Sequence, residues 1–159
     1  MLSNLVWTDA HICLLPFSIA NNDLRPEDAK ILAEALHVNS SMKKIKVHKC
    51  ELPIDVLKTG VEVDLSGQDL LVDDAIIIAA CINVSSSMKK LNVLRNSIDA
   101  EGAQALVDAA PPQLQTLCGL AEGQTDADLS NQGLGPGGAI LLAWELTTGF
   151  VSSSITSLK

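Results

Sequence analysis

Aromatic side chains are almost missing from this chain, with two Phe, two Trp and no Tyr in 159 residues. Its core must therefore be aliphatic, packed from Leu, Ile, Val and Ala. Basic residues are also few, 11 Lys and Arg against 19 Asp and Glu, for a formal charge of -8. That balance argues against a general nucleic-acid binder, which needs a basic stripe to meet phosphates. No uninterrupted apolar run of about 18 residues is present, so no transmembrane helix is expected. The opening "MLSNLVWTDAHICLLPFSIA" has no basic leader and carries Asp9 and His11 within its apolar run, which makes it a poor signal peptide. Cysteine is sparse too. Cys13, Cys50, Cys81 and Cys118 show no C-x-x-C spacing, and are expected to be reduced thiols in a cytoplasmic setting. The N-x-S sequons at Asn39 and Asn83 would matter only in a secreted chain.

What is present is apolar content of 47%, enough for an ordered core, in a length that suits one domain spanning 1–159. The apolar residues recur. "NSSMKKIKV" begins at Asn39 and "SSSMKKLNV" at Ser85, and the chain closes on "SSSITSLK". A frame L-x-x-L-x-L-x-x-N-x-L follows these Ser-rich turns. It is filled by Leu14, Phe17, Ile19, Asn22 and Leu24, then by Met42, Ile45, Val47, Cys50 and Leu52, then by Met88, Leu91, Val93, Asn96 and Ile98. Weaker copies run through Val63, Leu65, Gln68 and Leu70, and through Ala127, Leu129, Gln132 and Leu134. The opening residues Leu2, Leu5, Trp7, Ala10 and Ile12 fit the same frame.

Four of the frames are followed by apolar residues at i, i+3, i+4 and i+7, one stripe of an amphipathic helix. The stripes are Ala29, Leu32, Ala33, Leu36; Ala75, Ile78, Ala79, Ile82; Ala103, Leu106, Val107, Ala110; and Ala139, Leu142, Ala143, Leu146. Each full unit thus reads strand, turn, helix, with about 28 residues between equivalent strand positions. One unit cannot cover its own apolar face, so neighbours must share a core. The Asn, Cys or Gln at the ninth frame position (Asn22, Cys50, Gln68, Asn96, Gln132) can satisfy backbone groups freed where a strand turns away. On that basis Asn96→Leu should cost on the order of 1–3 kcal/mol.

This pattern resembles the leucine-rich repeat family, in its ribonuclease-inhibitor-like class and a divergent form met in microbial eukaryotes. The best copy is "MKKLNVLRNSIDAEGAQALVDA", and the likeness covers nearly the whole chain. It implies an α/β solenoid, a horseshoe with a concave parallel sheet inside and α-helices outside, and non-catalytic protein–protein binding through the concave face. Two short units, around 51–62 and 114–126, break the regularity. The array opens inside a frame and stops after "ITSLK" without a polar cap, which suggests a fragment of a longer array or a chain capped by a neighbour. The alternative role is a structural or accessory subunit of a larger assembly, held through the convex helices and uncapped ends. On the convex side, Ile76, Ile140 and Trp144 either pack against a neighbouring helix or contact another chain.

Gly133, Gly135 and Gly138 spell G-x-G-x-x-G between strand-like and helix-like segments, the dinucleotide-binding pattern. In the repeat frame these glycines align with Asp23, Arg25 and Asp28, with Asp69, Leu71 and Asp74, and with Ser97, Asp99 and Gly102. They read as one copy's strand-to-helix turn, and no cofactor is expected. His11, Cys13, His48 and Cys50 offer zinc-ligand types out of register with one another, so no metal is expected from them. No Ser or Cys stands in a nucleophile elbow, the histidines have no evident acid partner, and no enzyme is expected.

Alternate strand residues face opposite sides. The outward set is Lys44, Lys46, His48, Lys49; Glu62, Asp64; Lys90, Asn92, Arg95; and Asp126, Asp128, so basic and acidic strands alternate. Either the charges pair across strands, or they form a protein partner's docking surface.

Overall fold

The computed structural model describes residues 17–20, 22, 24–148 and 154–159. The opening copy of the frame, Leu2 to Ile12, lies outside these residues, as do Cys13 and Leu14.

A helix follows each of the four frames that carry an apolar stripe, and a short one, the second in chain order, forms where no stripe predicts it. They are α1 (Pro26–Val38), α2 (Ile54–Thr59), α3 (Val72–Asn83), α4 (Ala100–Ala109) and α5 (Gly135–Thr147). Acidic residues start three of them. Asp28 Oδ2 accepts the Arg25 N–H (3.1 Å), Asp74 Oδ2 accepts the Leu71 N–H (3.0 Å), and Asp99 Oδ1 accepts the Gly102 N–H (2.9 Å). Each satisfies a donor at a helix start and places negative charge on the positive end of the helix dipole. The last helix has no such carboxylate and begins at Gly135 and Pro136 instead.

The helices lie side by side, α1 against α3, α3 against α4, α4 against α5, with the short α2 also on α3. Burial of α3 extends well beyond its predicted stripe, to almost every side of the helix. Ala75 through Ala79, Cys81 and Ile82 are all buried. Ile76, an outward position in the repeat frame, packs against Ala29 and Ala33 of α1. Burying one such aliphatic side chain contributes about 1.5–3 kcal/mol, so this inter-helix seam is a substantial part of the fold's stability. Ile140 and Trp144 are half-buried against the main core. That core is one connected cluster running from Leu36 to Leu141.

The expected leucine-rich-repeat horseshoe is not what forms. The molecule is a small α/β structure whose strands are two or three residues long and fall into three separate sheets. In the first, β1 (Phe17–Ser18) and β3 (Glu51–Leu52) flank β2 (Ile45–Lys46). The second pairs β4 (Glu62–Asp64) with β5 (Lys90–Asn92), and the third pairs β6 (Asp126–Ala127) with β7 (Ser157–Leu158), both parallel. The interruption has a physical cause at each break. After β2 the chain folds back so that Leu52 pairs antiparallel with Ile45, which occupies the edge a following parallel strand would need. Beyond β5, residues 116–118 touch its edge with mixed sense, Lys90 with Thr116 parallel and Asn92 with Cys118 antiparallel, and no ladder propagates. These are the two short units around 51–62 and 114–126.

The turns repeat more faithfully than the sheet. Gly67, Arg95 and Asn131 each precede a ninth-position residue, and all three are left-handed, at φ 65°, 59° and 55°. At Asn96 the predicted ladder role is realised. Its Oδ1 accepts the N–H groups of Gln68 (2.8 Å) and Leu70 (3.1 Å), and its Nδ2 donates to the carbonyls of Leu65 and Val93 (both 2.9 Å).

One stripe is corrected. On α5 the buried residues are Gly137, Gly138, Leu141 and Glu145, whereas Ala139, Ala143 and Leu146 are exposed and Leu142 half-buried. A Cβ on Gly137 would stand 2.1 Å from the Ile98 carbonyl oxygen. Contact with the chain entering α4 therefore falls at Gly137, and the helix is rotated by about one residue from the expected setting.

Candidate functional site

Six of the ten proposed surface residues gather on and beside the β4–β5 pair. Glu62 lies opposite Lys90, and Asp64 opposite Asn92, in parallel register. Lys90 Nζ is 3.9 Å from Glu62 Oε2 with both side chains largely exposed, a weak ion pair. Asp64 Oδ1 accepts the Ser66 N–H at 2.9 Å. That bond, followed by the Ser66 hydroxyl, Asn92 and the nearby Arg95 charge, holds the Asp64 carboxyl below its ordinary pKa, so it stays ionised.

Arg95 reaches along the surface to donate from Nε to Gln132 Oε1 (3.1 Å). Asn92, Arg95, Asp128 and Gln132 line one open recess of about 190 Å³, floored by Cys118, Gly119 and Leu120. Gly119 closes against Asn92 with φ 70°, and a Cβ there would meet Asn92 Nδ2 at 2.7 Å. Asp128 Oδ1 accepts the Ser130 N–H at 2.9 Å, and its carboxyl is held low by the Ser130 hydroxyl and backbone. Sequence reading missed Gly119 and Gln124 as recess neighbours, because the short unit at 114–126 has no fixed offset from which to place them, and it placed Gln132 only as a ninth-position turn residue.

The remaining four stand elsewhere. Lys44 pairs with Glu51 (2.7 Å) across the fold-back after β2, and Lys46 sits on β2 itself. The Glu51 carboxylate raises the Lys44 pKa. Asp126 lies on β6, in the third sheet, and its Oδ2 accepts the Thr125 hydroxyl at 3.0 Å. His48, expected on an exposed strand, lies past the end of β2, half-buried, with Nε2 against the Asp73 carboxylate at the start of α3. A surface continuous over all ten residues is therefore not formed; the group around β4–β5 is.

The glycine motif lies apart from this recess. Gly133 and Gly135 have positive φ, 61° and 52°, as a tight turn requires. The space beside Leu134, Gly138 and Leu141 is about 10 Å³, room for one water. Cys50, Cys81 and Cys118 are free and buried, and burial raises all three thiol pKa values, Cys81 to about 11. A thiol in that state is a packing group rather than a nucleophile. No helix among the described residues is long and apolar enough to cross a membrane.

No protein-family model matches the chain, and no curated protein matches it.

Proposed function

We propose that this chain is a non-catalytic protein-binding module, and that it takes its partner on the β4–β5 surface. The observation that carries the proposal is the fixed register of Glu62 with Lys90 and Asp64 with Asn92, beside Arg95 and Asp128 at a shared polar recess. Charges of both signs are set at defined spacing on short, backbone-anchored segments, and such a pattern discriminates partners more than it stabilises the fold. As the Lys90–Glu62 pair contributes little stability, display to a partner is the better reason for its placement. The sequence resemblance to leucine-rich repeats implies the same class of role, without the horseshoe. A cytoplasmic setting belongs to the same proposal, supported by three buried free thiols.

A photo-crosslinking amino acid placed at Asn92, or as a control at the exposed Ala139 of α5, tests this in cells. The proposal expects a discrete higher-mass adduct from position 92 and none from 139. Adducts from 139 alone would move the binding surface to the helices.

A further inference from the structure

A second group of residues points to a ligand of a different kind. His48, Asp73 and Asp74 come from two distant stretches of sequence, and each offers one ligand atom such that all three lie within 4.8 Å of one another. Asp73 and Asp74 are both buried, at 3% and 0% exposure, while His48 is half-buried and borders an open recess of about 310 Å³ with Lys49, Asp69, Leu71 and Ser97.

The polar bookkeeping of this group does not close. Asp73 is met by His48, and Asp74 Oδ2 by the Leu71 N–H. Asp74 Oδ1 is fully buried and has no hydrogen-bond partner among the described residues. A carboxylate oxygen sealed from water without a donor is costly, by several times the net worth of an ordinary hydrogen bond. The helix start does not account for it, because capping α3 uses only Oδ2. The dipole at that end supplies about half a positive charge against two carboxylates. The cluster is short of positive charge at the buried oxygen.

We propose that His48, Asp73 and Asp74 form a binding site for one first-row divalent cation, with the recess beside His48 as its entrance. One imidazole nitrogen and two carboxylate oxygens suit Mn²⁺ or Zn²⁺, and the nitrogen ranks both above Ca²⁺ and Mg²⁺, which prefer all-oxygen sets. Ligand atoms about 2.0–2.2 Å from one ion stand roughly 3 to 4.4 Å apart, so closure draws the wider pairs together and parts His48 Nε2 from the Asp73 carboxylate it now touches. Three protein ligands leave the side toward the recess for water. Local sequence does not announce the site, since His48 precedes Asp73 by 25 residues and the double Asp reads as a helix start.

Mn²⁺ is the cleaner probe, as it avoids thiols. The full chain, freed of metal by chelator and dialysed, is titrated with Mn²⁺ while free ion is followed by electron paramagnetic resonance. The same titration is then made with Zn²⁺ by calorimetry. One equivalent of each ion is expected, with Mg²⁺ and Ca²⁺ at least about tenfold weaker. His48→Gln and Asp74→Asn should each weaken Mn²⁺ at least about tenfold. Lys49→Ala, on the recess rim but outside the ligand set, should leave affinity unchanged. His48→Gln spares the helix start, so its circular dichroism should match the parent's and its loss of binding cannot be put down to unfolding. Absence of Mn²⁺ binding at millimolar ion, or equal affinity in parent and His48→Gln, would overturn the proposal.

Discussion

Asn96 reaches back under the preceding turn to Leu65, donating from Nδ2 to its carbonyl at 2.9 Å while Oδ1 accepts the N–H groups of Gln68 and Leu70. One side chain thus ties the turn after β5 to the turn after β4, 31 residues earlier in sequence. Asn96→Leu removes all of these bonds at a part-buried position, and should lower stability by about 3 kcal/mol. Asn96→Asp keeps the acceptor and loses the donor, and should fall between the two. Urea denaturation of the three proteins checks the order; a leucine variant with an unchanged midpoint would refute the role.

Gly137 brings the backbone of α5 close against the residues that lead into α4. A methyl group there would meet the carbonyl oxygens of Ile98 and Asp99, at 2.1 and 2.7 Å, and neither is the end of a flexible side chain. Gly137→Ala should therefore cost at least about 1–3 kcal/mol through overpacking. Gly133→Ala meets open space and bears only the strain of φ 61°, about 1 kcal/mol. Thermal melts that rank Gly133→Ala as the worse variant would contradict the α5 setting.

Glu145 is fully buried on α5, where one oxygen accepts the Leu117 N–H (2.9 Å) and the other is unpartnered among the described residues. Burial raises its carboxyl above the ordinary value of 4.5, against the pull of Thr116 and the Leu117 and Cys118 N–H groups. An acid with a raised folded pKa binds its proton more readily when folded, so its charge weakens the fold at neutral pH. That penalty lifts as pH falls through the folded pKa, and the gain is complete near the unfolded value of 4.5. Glu145→Gln should therefore raise stability at pH 7 by roughly 1–2 kcal/mol. The difference from the parent should shrink toward pH 4.5. A variant no more stable at pH 7 would show that the carboxylate is better served than its burial indicates.

The buried thiols of Cys81 and Cys118 should resist alkylation in the folded protein. Their pKa values are raised and neither side chain reaches solvent appreciably, at 0% and 5% exposure. Iodoacetamide labelling at pH 8, read by peptide mass spectrometry, should modify both only after denaturant is added. Rapid native labelling at Cys81 would mean that α3 opens locally.

How far the sequence carried the structure can be read helix by helix. The stripes Ala29, Ala33, Leu36 and Ala75, Ile78, Ala79, Ile82 are buried as their spacing requires, and Ala103 and Leu106 likewise. Helix starts at Asp28, Asp74 and Asp99 were legible as well, because capping depends on residues within one turn. The α5 stripe was not, since a close approach at Gly137 is decided by Ile98 and Asp99 on another element. Sheet continuity failed for a related reason. A repeat frame fixes which residues are strand-like, but pairing depends on what claims each edge, and Leu52 claims the edge of β2. At the surface, Glu62, Asp64, Lys90 and Asn92 were placed together by register alone. His48 was drawn aside to Asp73, a contact that no local pattern announces.

The most direct test of the binding role is a charge reversal, Asp64→Lys with Arg95→Glu, set beside the parent in two readings. Thermal stability should fall by no more than about 1–2 kcal/mol, as both side chains are exposed and the main loss is the one turn hydrogen bond from the Ser66 N–H to Asp64. Capture of proteins from cell extract, quantified by mass spectrometry, should lose the parent's specific partners at the same time. A partner set identical in parent and variant, with both folded, would contradict the assignment of the β4–β5 surface as the place where this protein is recognised.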